Sequence, residues 1–149
     1  METMEIKLDA VPRLMNDIWG LTLGMEIAPA PLSPEEMTGT YTAWVRIIGS
    51  QNITLILKCP ESLAHKAAAA MFDCKPEAAD PEQVKDSLKE IVNILAGNVK
   101  GMMTKYHFLS MPSVCEPDRE PRFPAGDLMG EFGFQSSGET FKLTLLKVD

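Results

Sequence analysis

The segment Asp80-Pro81-Glu82-Gln83 and the residues that follow it constrain this chain more than any other stretch. Asp80 can cap a helix, Pro81 suits the first helical position because its missing N–H has no partner to lose there, and Gln83 stands where a capping box closes. From there Val84, Leu88, Ile91, Leu95, Val99 and Met102 recur at steps of three and four. At about 100° per residue they form one continuous apolar face along a helix expected to reach Lys105. A long helix with one apolar face needs a second layer to cover it, and the remaining sequence has to provide that layer.

Extended segments provide it. Thr40 to Ile48 and Ile53 to Lys58 are β-branched and aromatic-rich runs around Gly49-Ser50-Gln51-Asn52, which predicts a hairpin. Leu128 to Phe134 and Thr140 to Val148 flank Gln135-Ser136-Ser137-Gly138-Glu139, and Phe141, Leu143 and Leu145 alternate on one face, which predicts a second. Between the two, the alanines of Glu61 to Phe72 favour a shorter helix, closed by Lys75-Pro76. The Pro-rich stretches Ala28 to Pro34 and Glu116 to Pro124 read as connecting loops, since proline removes ladder donors and restricts its predecessor.

A self-comparison adds an internal repeat. Asp9, Asn16, Gly20 and Gly24 overlay Asp86, Asn93, Gly97 and Gly101 at a constant offset of 77 positions, with apolar residues matched between them. Both stretches precede extended segments that end in a hairpin. The expected architecture is therefore α+β: one domain spanning 1–149, an antiparallel sheet with long helices packed on it, and two pseudo-symmetric halves at about 5–59 and 80–149.

Charge and cysteines narrow the function. A net charge of −7 and a pI near 4.8 repel a polyphosphate backbone, so nucleic acid is not expected as a ligand. Cys59, Cys74 and Cys115 are odd in number and lack metal-ligand spacing, so neither a disulfide framework nor a metal site of the chain's own is expected. Met1 to Asp9 lacks the basic and apolar regions of a secretory signal, and no window approaches the roughly 18 apolar residues of a membrane span. A cytoplasmic protein without a membrane association is the expectation.

On the face of the long helix opposite its apolar stripe, Asp86, Glu90, Asn93 and Gly97 are spaced by four, three and four, within about 60° of one another. Any amphipathic surface helix shows a polar stripe, so spacing alone assigns no role. Gly97 is more telling, because glycine costs roughly 1 kcal/mol relative to alanine inside a helix and points to a close approach by something else.

In context the stripe says more. Asp86-x-x-x-Glu90-x-x-Asn93, continuing through Gly97-Asn98-Val99-Lys100-Gly101 to Phe108-Leu109-Ser110-Met111-Pro112-Ser113-Val114, resembles the signature of the CheC/CheX/FliY family of chemotaxis phosphatases, closest to CheX. The family's architecture of two related halves around a sheet agrees with the repeat. The resemblance implies a phosphatase for the phosphoaspartate of a CheY-like response regulator. Glu90 would bind the regulator's active-site lysine, and Asn93 would orient the attacking water. Asp86 and Gly97 would contact the partner. It further implies that Mg²⁺ sits on the regulator, that this chain needs no cofactor of its own, and that the chain forms a homodimer. Where a second motif would place glutamate, the first repeat has Arg13 between Asp9 and Asn16, which implies one competent site. A non-catalytic response-regulator or adaptor module of the same fold is the alternative, and retention of both Glu90 and Asn93 favours the enzyme.

Other candidates carry less. His65 and His107 lack a ligand or triad pattern, Ser50, Ser110 and Ser113 lack a nucleophile-elbow context, and the methionines, Trp19 and Trp44 read as packing or interface residues.

Overall fold

The structure is a computed structural model, described for residues 6–32 and 39–149. After a single 3-10 turn at Leu8–Ala10, helix α1 runs Val11–Leu23 and stops at Gly24, whose φ of 65° turns the chain left-handed while its N–H reaches Gly20 O at 2.9 Å. The short strand β1, Ala28–Pro29, follows, then β2 Thr40–Gly49 and β3 Asn52–Pro60 as a hairpin. Helix α2 spans Glu61–Phe72, and α3 spans Pro81–Lys100. Strands β4 His107–Leu109 and β5 Ser113–Cys115 lead to the second hairpin, β6 Asp127–Ser136 and β7 Glu139–Val148.

All pairings are antiparallel, in the order β1-β6-β7-β3-β2-β4, with β5 also paired to β2. This order reads the same from either end if β1 is exchanged for β4, β6 for β2 and β7 for β3. Its centre is the β3·β7 ladder, with Leu55 opposite Leu145. The ends are crossed: β1 pairs with the later hairpin, and β4 with the earlier one.

Period-two burial puts Tyr41, Ala43, Val45 and Ile47 on the same face as Ile53, Leu55, Leu57, Phe141, Leu143 and Leu145. The apolar stripes of the three helices cover that face, forming one continuous core. Trp19 of α1 stacks on Phe141 at 4.5 Å, and its indole N–H donates to Ser136 Oγ at 3.1 Å; Ser136 in turn donates to Glu26 O at 2.7 Å. A buried aromatic with its polar edge satisfied thus ties the first helix to the last hairpin. On the other face of the sheet, Trp44 meets Phe123 edge to face at 5.7 Å.

Three sequence expectations shift. The long helix ends at Lys100 rather than Lys105, because Gly101 opens a turn in which Met102 and Met103 N–H bond Val99 and Lys100 O. Met102 and Met103 still pack against the core from that turn, so the apolar period outlasts the helix. Ala28 and Pro29, expected in a loop, pair with Gln135 and Phe134 at the sheet's edge, a position proline tolerates; Pro34 lies outside the described residues. The loop expected at Gln135 to Glu139 shrinks to Ser137-Gly138, whose φ angles of 51° and 75° give the doubly left-handed turn that closes two-residue hairpins.

Candidate functional site

Helix α3 starts as its sequence dictates: Gln83 N–H donates to Asp80 Oδ1 at 2.8 Å, and Asp80 N–H donates to Gln83 Oε1 at 3.0 Å. Val84, Leu88, Ile91, Val92, Leu95, Ala96 and Val99 are buried, which fixes the helix's rotation about its axis. Asp86, Glu90 and Gly97 then face solvent, and Asn93 is half-buried beside them. Glu90 and Asn93 lie three residues apart, about 4.5 Å along the axis.

Two of the lysines on this helix, Lys85 and Lys89, are engaged by carboxylates other than Glu90. Lys85 Nζ donates to Glu82 at 2.8 Å and to Glu116 at 3.3 Å, and these hydrogen bonds to the two carboxylates push its ammonium up from the usual lysine range. Lys89 pairs with Asp86 at 3.4 Å. Glu90 has no ion-pair partner among the described residues, so its carboxylate is free for an outside cation.

The two asparagines of α3 differ in the same way. Asn98 spends its amide on Ile94 O at 2.9 Å, back-bonding to its own helix. Asn93 makes no side-chain hydrogen bond among the described residues. A free carboxamide offers both an acceptor and two donors, which is what orienting a water requires. At Gly97 an added methyl would meet nothing within 4 Å, so no part of the described chain makes the close approach that the glycine permits.

The ridge is convex. An open cavity of about 770 Å³ lies beside it, walled by Trp44, Lys85, Cys115, Arg119 and Arg122, but none of the four ridge residues lines it. Any chemistry at Glu90 and Asn93 would therefore need a partner's surface to complete it. Among the described residues, no group of three or more His, Cys, Asp or Glu is placed to hold a metal ion, and no helix is long and apolar enough to cross a membrane.

The remaining candidates serve the fold. His107 is buried; its Nδ1–H donates to Lys105 O at 2.8 Å, while Nε2 accepts from Gln51 N–H at 3.2 Å and faces the Ser50 hydroxyl at 3.3 Å. His65 Nδ1 lies 3.1 Å from Pro76 O, past the end of α2. Ser110 locks β2 by accepting from Arg46 N–H at 2.9 Å. The three cysteines are free thiols; burial pushes the Cys59 thiol far up, and Cys115 moves up for the same reason. The Lys85 link to Glu116, which holds the loop after β5 against α3, had no local sequence signal because its partners are 31 residues apart.

The family model described as chemotaxis phosphatase CheX matches residues 41–122, a span that includes Glu90 and Asn93. No curated protein matches the chain. Among solved structures, the chemotaxis protein CheX of Vibrio vulnificus is similar at a TM-score of 0.78 and 14% identity, over 98% of this chain and 99% of that one. A CheX-CheY-BeF₃-Mg²⁺ complex from Borrelia burgdorferi matches at 0.74 and 14% identity, over 95% and 97%. FliY of Thermotoga maritima matches at 0.58 and 15% identity, over 97% and 90%. These structural likenesses carry the α+β fold, and because the CheX model spans more than half of the sequence, the chain belongs to the CheX family of chemotaxis phosphatases.

Proposed function

We propose that this protein dephosphorylates the phosphoaspartate of a CheY-like response regulator, with Glu90 docking the regulator and Asn93 orienting the attacking water. The observation that carries the assignment is the unspent polar chemistry on one convex ridge: a carboxylate and a carboxamide three residues apart, inside the span matched by the phosphatase family, while neighbouring polar side chains are already engaged. Glu90 pairs with the lysine of the receiver's active site and sets α3 over the acyl phosphate. Asn93 enters that site and holds a water in line with the scissile bond. The water oxygen bonds to phosphorus as the bond to the aspartyl oxygen breaks. The electron pair returns to the carboxylate, and the water's protons pass to phosphate and solvent. Phosphoryl transfer asks mainly for positioning and charge stabilisation, and an amide positions without acting as a base.

Asp86 and Gly97 extend the contact, Asp86 as surface charge and Gly97 as a gap that the receiver's backbone can enter. The divalent ion is assigned to the receiver; the Borrelia complex, which holds CheY together with BeF₃ and Mg²⁺, supports that placement. The substrate puts the reaction in the cytoplasm. The mirrored strand order supports reading 1–149 as one domain of two related halves. We further assign a homodimer joined at sheet edges, which sedimentation would test.

The test is phosphate release from a receiver labelled with acetyl phosphate, at fixed Mg²⁺. Asn93→Ala is expected to lower the accelerated rate about a hundredfold while leaving the dissociation constant near that of the parent. Glu90→Ala should weaken association about tenfold, and Glu90→Lys further, because it sets like charges together. Full activity in Asn93→Ala would overturn the water-orienting role, and binding without faster release in the parent would make the protein a non-catalytic module.

A further inference from the structure

We propose that the open cavity beside α3 is a binding site for a nucleoside monophosphate, separate from the ridge of Glu90 and Asn93. At about 770 Å³ it falls within the range of small-molecule sites, roughly 300–1,000 Å³. Its wall combines the groups that such a ligand needs. Trp44 supplies an aromatic surface, half-buried and braced edge to face by Phe123 at 5.7 Å, on which a planar base can stack. Arg119 and Arg122 supply guanidinium groups that form no ion pair and no side-chain hydrogen bond among the described residues. Their planar forks match the oxygens of a phosphate two at a time. Asp118 and Glu120, likewise without an ion pair or side-chain hydrogen bond among the described residues, are acceptors for ribose hydroxyls.

The loop that carries these charges is held in place by the fold itself. Arg119 N–H donates to Glu116 O at 3.1 Å, the Cys115 thiol donates to Arg119 O at 3.1 Å, and Lys85 ties Glu116 to α3 at 3.3 Å. Pro117, Pro121 and Pro124 restrict the backbone on either side of the arginines. A site ordered in advance gives up less conformational freedom when it is filled. Arginines on a surface loop are ordinarily solvated charges; what sets this pair apart is the aromatic wall in the same cavity and the pinned turn beneath it. Charge balance limits the ligand further. Glu116, Asp118 and Glu120 line the same wall and the chain carries a net −7, so a triphosphate meets repulsion, whereas a single phosphate is matched by the two arginines.

The experiment is calorimetric titration of the full chain, without a receiver, using AMP, adenosine and inorganic phosphate in separate runs, with variants checked by circular dichroism. AMP is expected to bind saturably with a dissociation constant below about 1 mM, and adenosine and inorganic phosphate at least about tenfold more weakly, since each engages half of the site. Arg119→Ala/Arg122→Ala should weaken AMP about tenfold or more and leave adenosine near the parental value. Trp44→Leu should weaken AMP and leave inorganic phosphate unchanged. The proposal is overturned if the parent shows no saturable AMP binding, if inorganic phosphate binds as tightly as AMP, or if the folded double-arginine variant holds AMP like the parent. None of the four ridge residues lines the cavity, so these outcomes are independent of the phosphatase assignment.

Discussion

At the scale of single residues, availability sets the proposed site residues Glu90 and Asn93 apart from their neighbours on α3. Asn93 and Asn98 share a helix and a chemistry, but Asn98 is tied to Ile94 O. Asn98→Ala should therefore leave phosphate release near parental while Asn93→Ala removes it, and the pair measured side by side checks that contrast. Gly97 allows a sharper separation. With nothing within 4 Å of a methyl there, Gly97→Ala should raise stability by about 1 kcal/mol in urea melts, because alanine is the better helix former. If the receiver occupies that gap, the same variant should bind it less well, so that stability and activity move in opposite directions. Glu90 and the ridge were readable in the sequence because helical periodicity fixes which positions face outward. Which polar groups are spent was not, since the Lys85 bond to Glu116 and the Asn98 back-bond depend on three-dimensional placement.

At the scale of elements, the site depends on how α3 is held at both ends. Its start was legible as Asp80-Pro81-Glu82-Gln83, because capping is local chemistry. Its end was not, because Met102 and Met103 keep the apolar period while packing from a turn. Just beyond, His107 fastens β4 to the β2–β3 turn through Lys105 O, Gln51 N–H and the Ser50 hydroxyl. A methyl at Gly49 would lie 2.5 Å from the His107 ring and 2.8 Å from Tyr106 O, so glycine is what lets the two strands close there. His107→Ala should cost about 2–4 kcal/mol, through lost hydrogen bonds and a cavity, with little change in turnover of the folded protein. Chemical denaturation together with the phosphate-release assay checks both halves of that expectation. Both hairpins were visible as β-branched runs, whereas β1 was not, because two residues containing a proline become a strand only when β6 is there to pair them.

At the scale of the molecule, α1 and the second hairpin are bound by Trp19, stacked on Phe141 and hydrogen-bonded to Ser136. Trp19→Ala should cost about 3–5 kcal/mol, a large share of a typical domain's stability, while Trp19→Phe keeps an aromatic contact and should cost about 1–2 kcal/mol. Urea midpoints of the two variants check the order. Sequence period and turn chemistry exposed the α+β class and the helix-plus-hairpin halves. The crossing of β1 and β4 onto opposite hairpins left no local trace, because it joins segments far apart along the chain.

That crossing also governs when the protein can fold. β7, a strand at the middle of the sheet, is the last strand of this domain to leave the ribosome, and it joins β3 to β6. Until residue 148 has emerged, Leu55 and Leu57 lack their β7 neighbours and the first hairpin waits with an unclosed apolar flank. Assembly of α3 onto a complete sheet is thereby deferred until this domain's last strand has been made, and the nascent chain passes through an aggregation-exposed interval that a sequentially stacked topology would avoid.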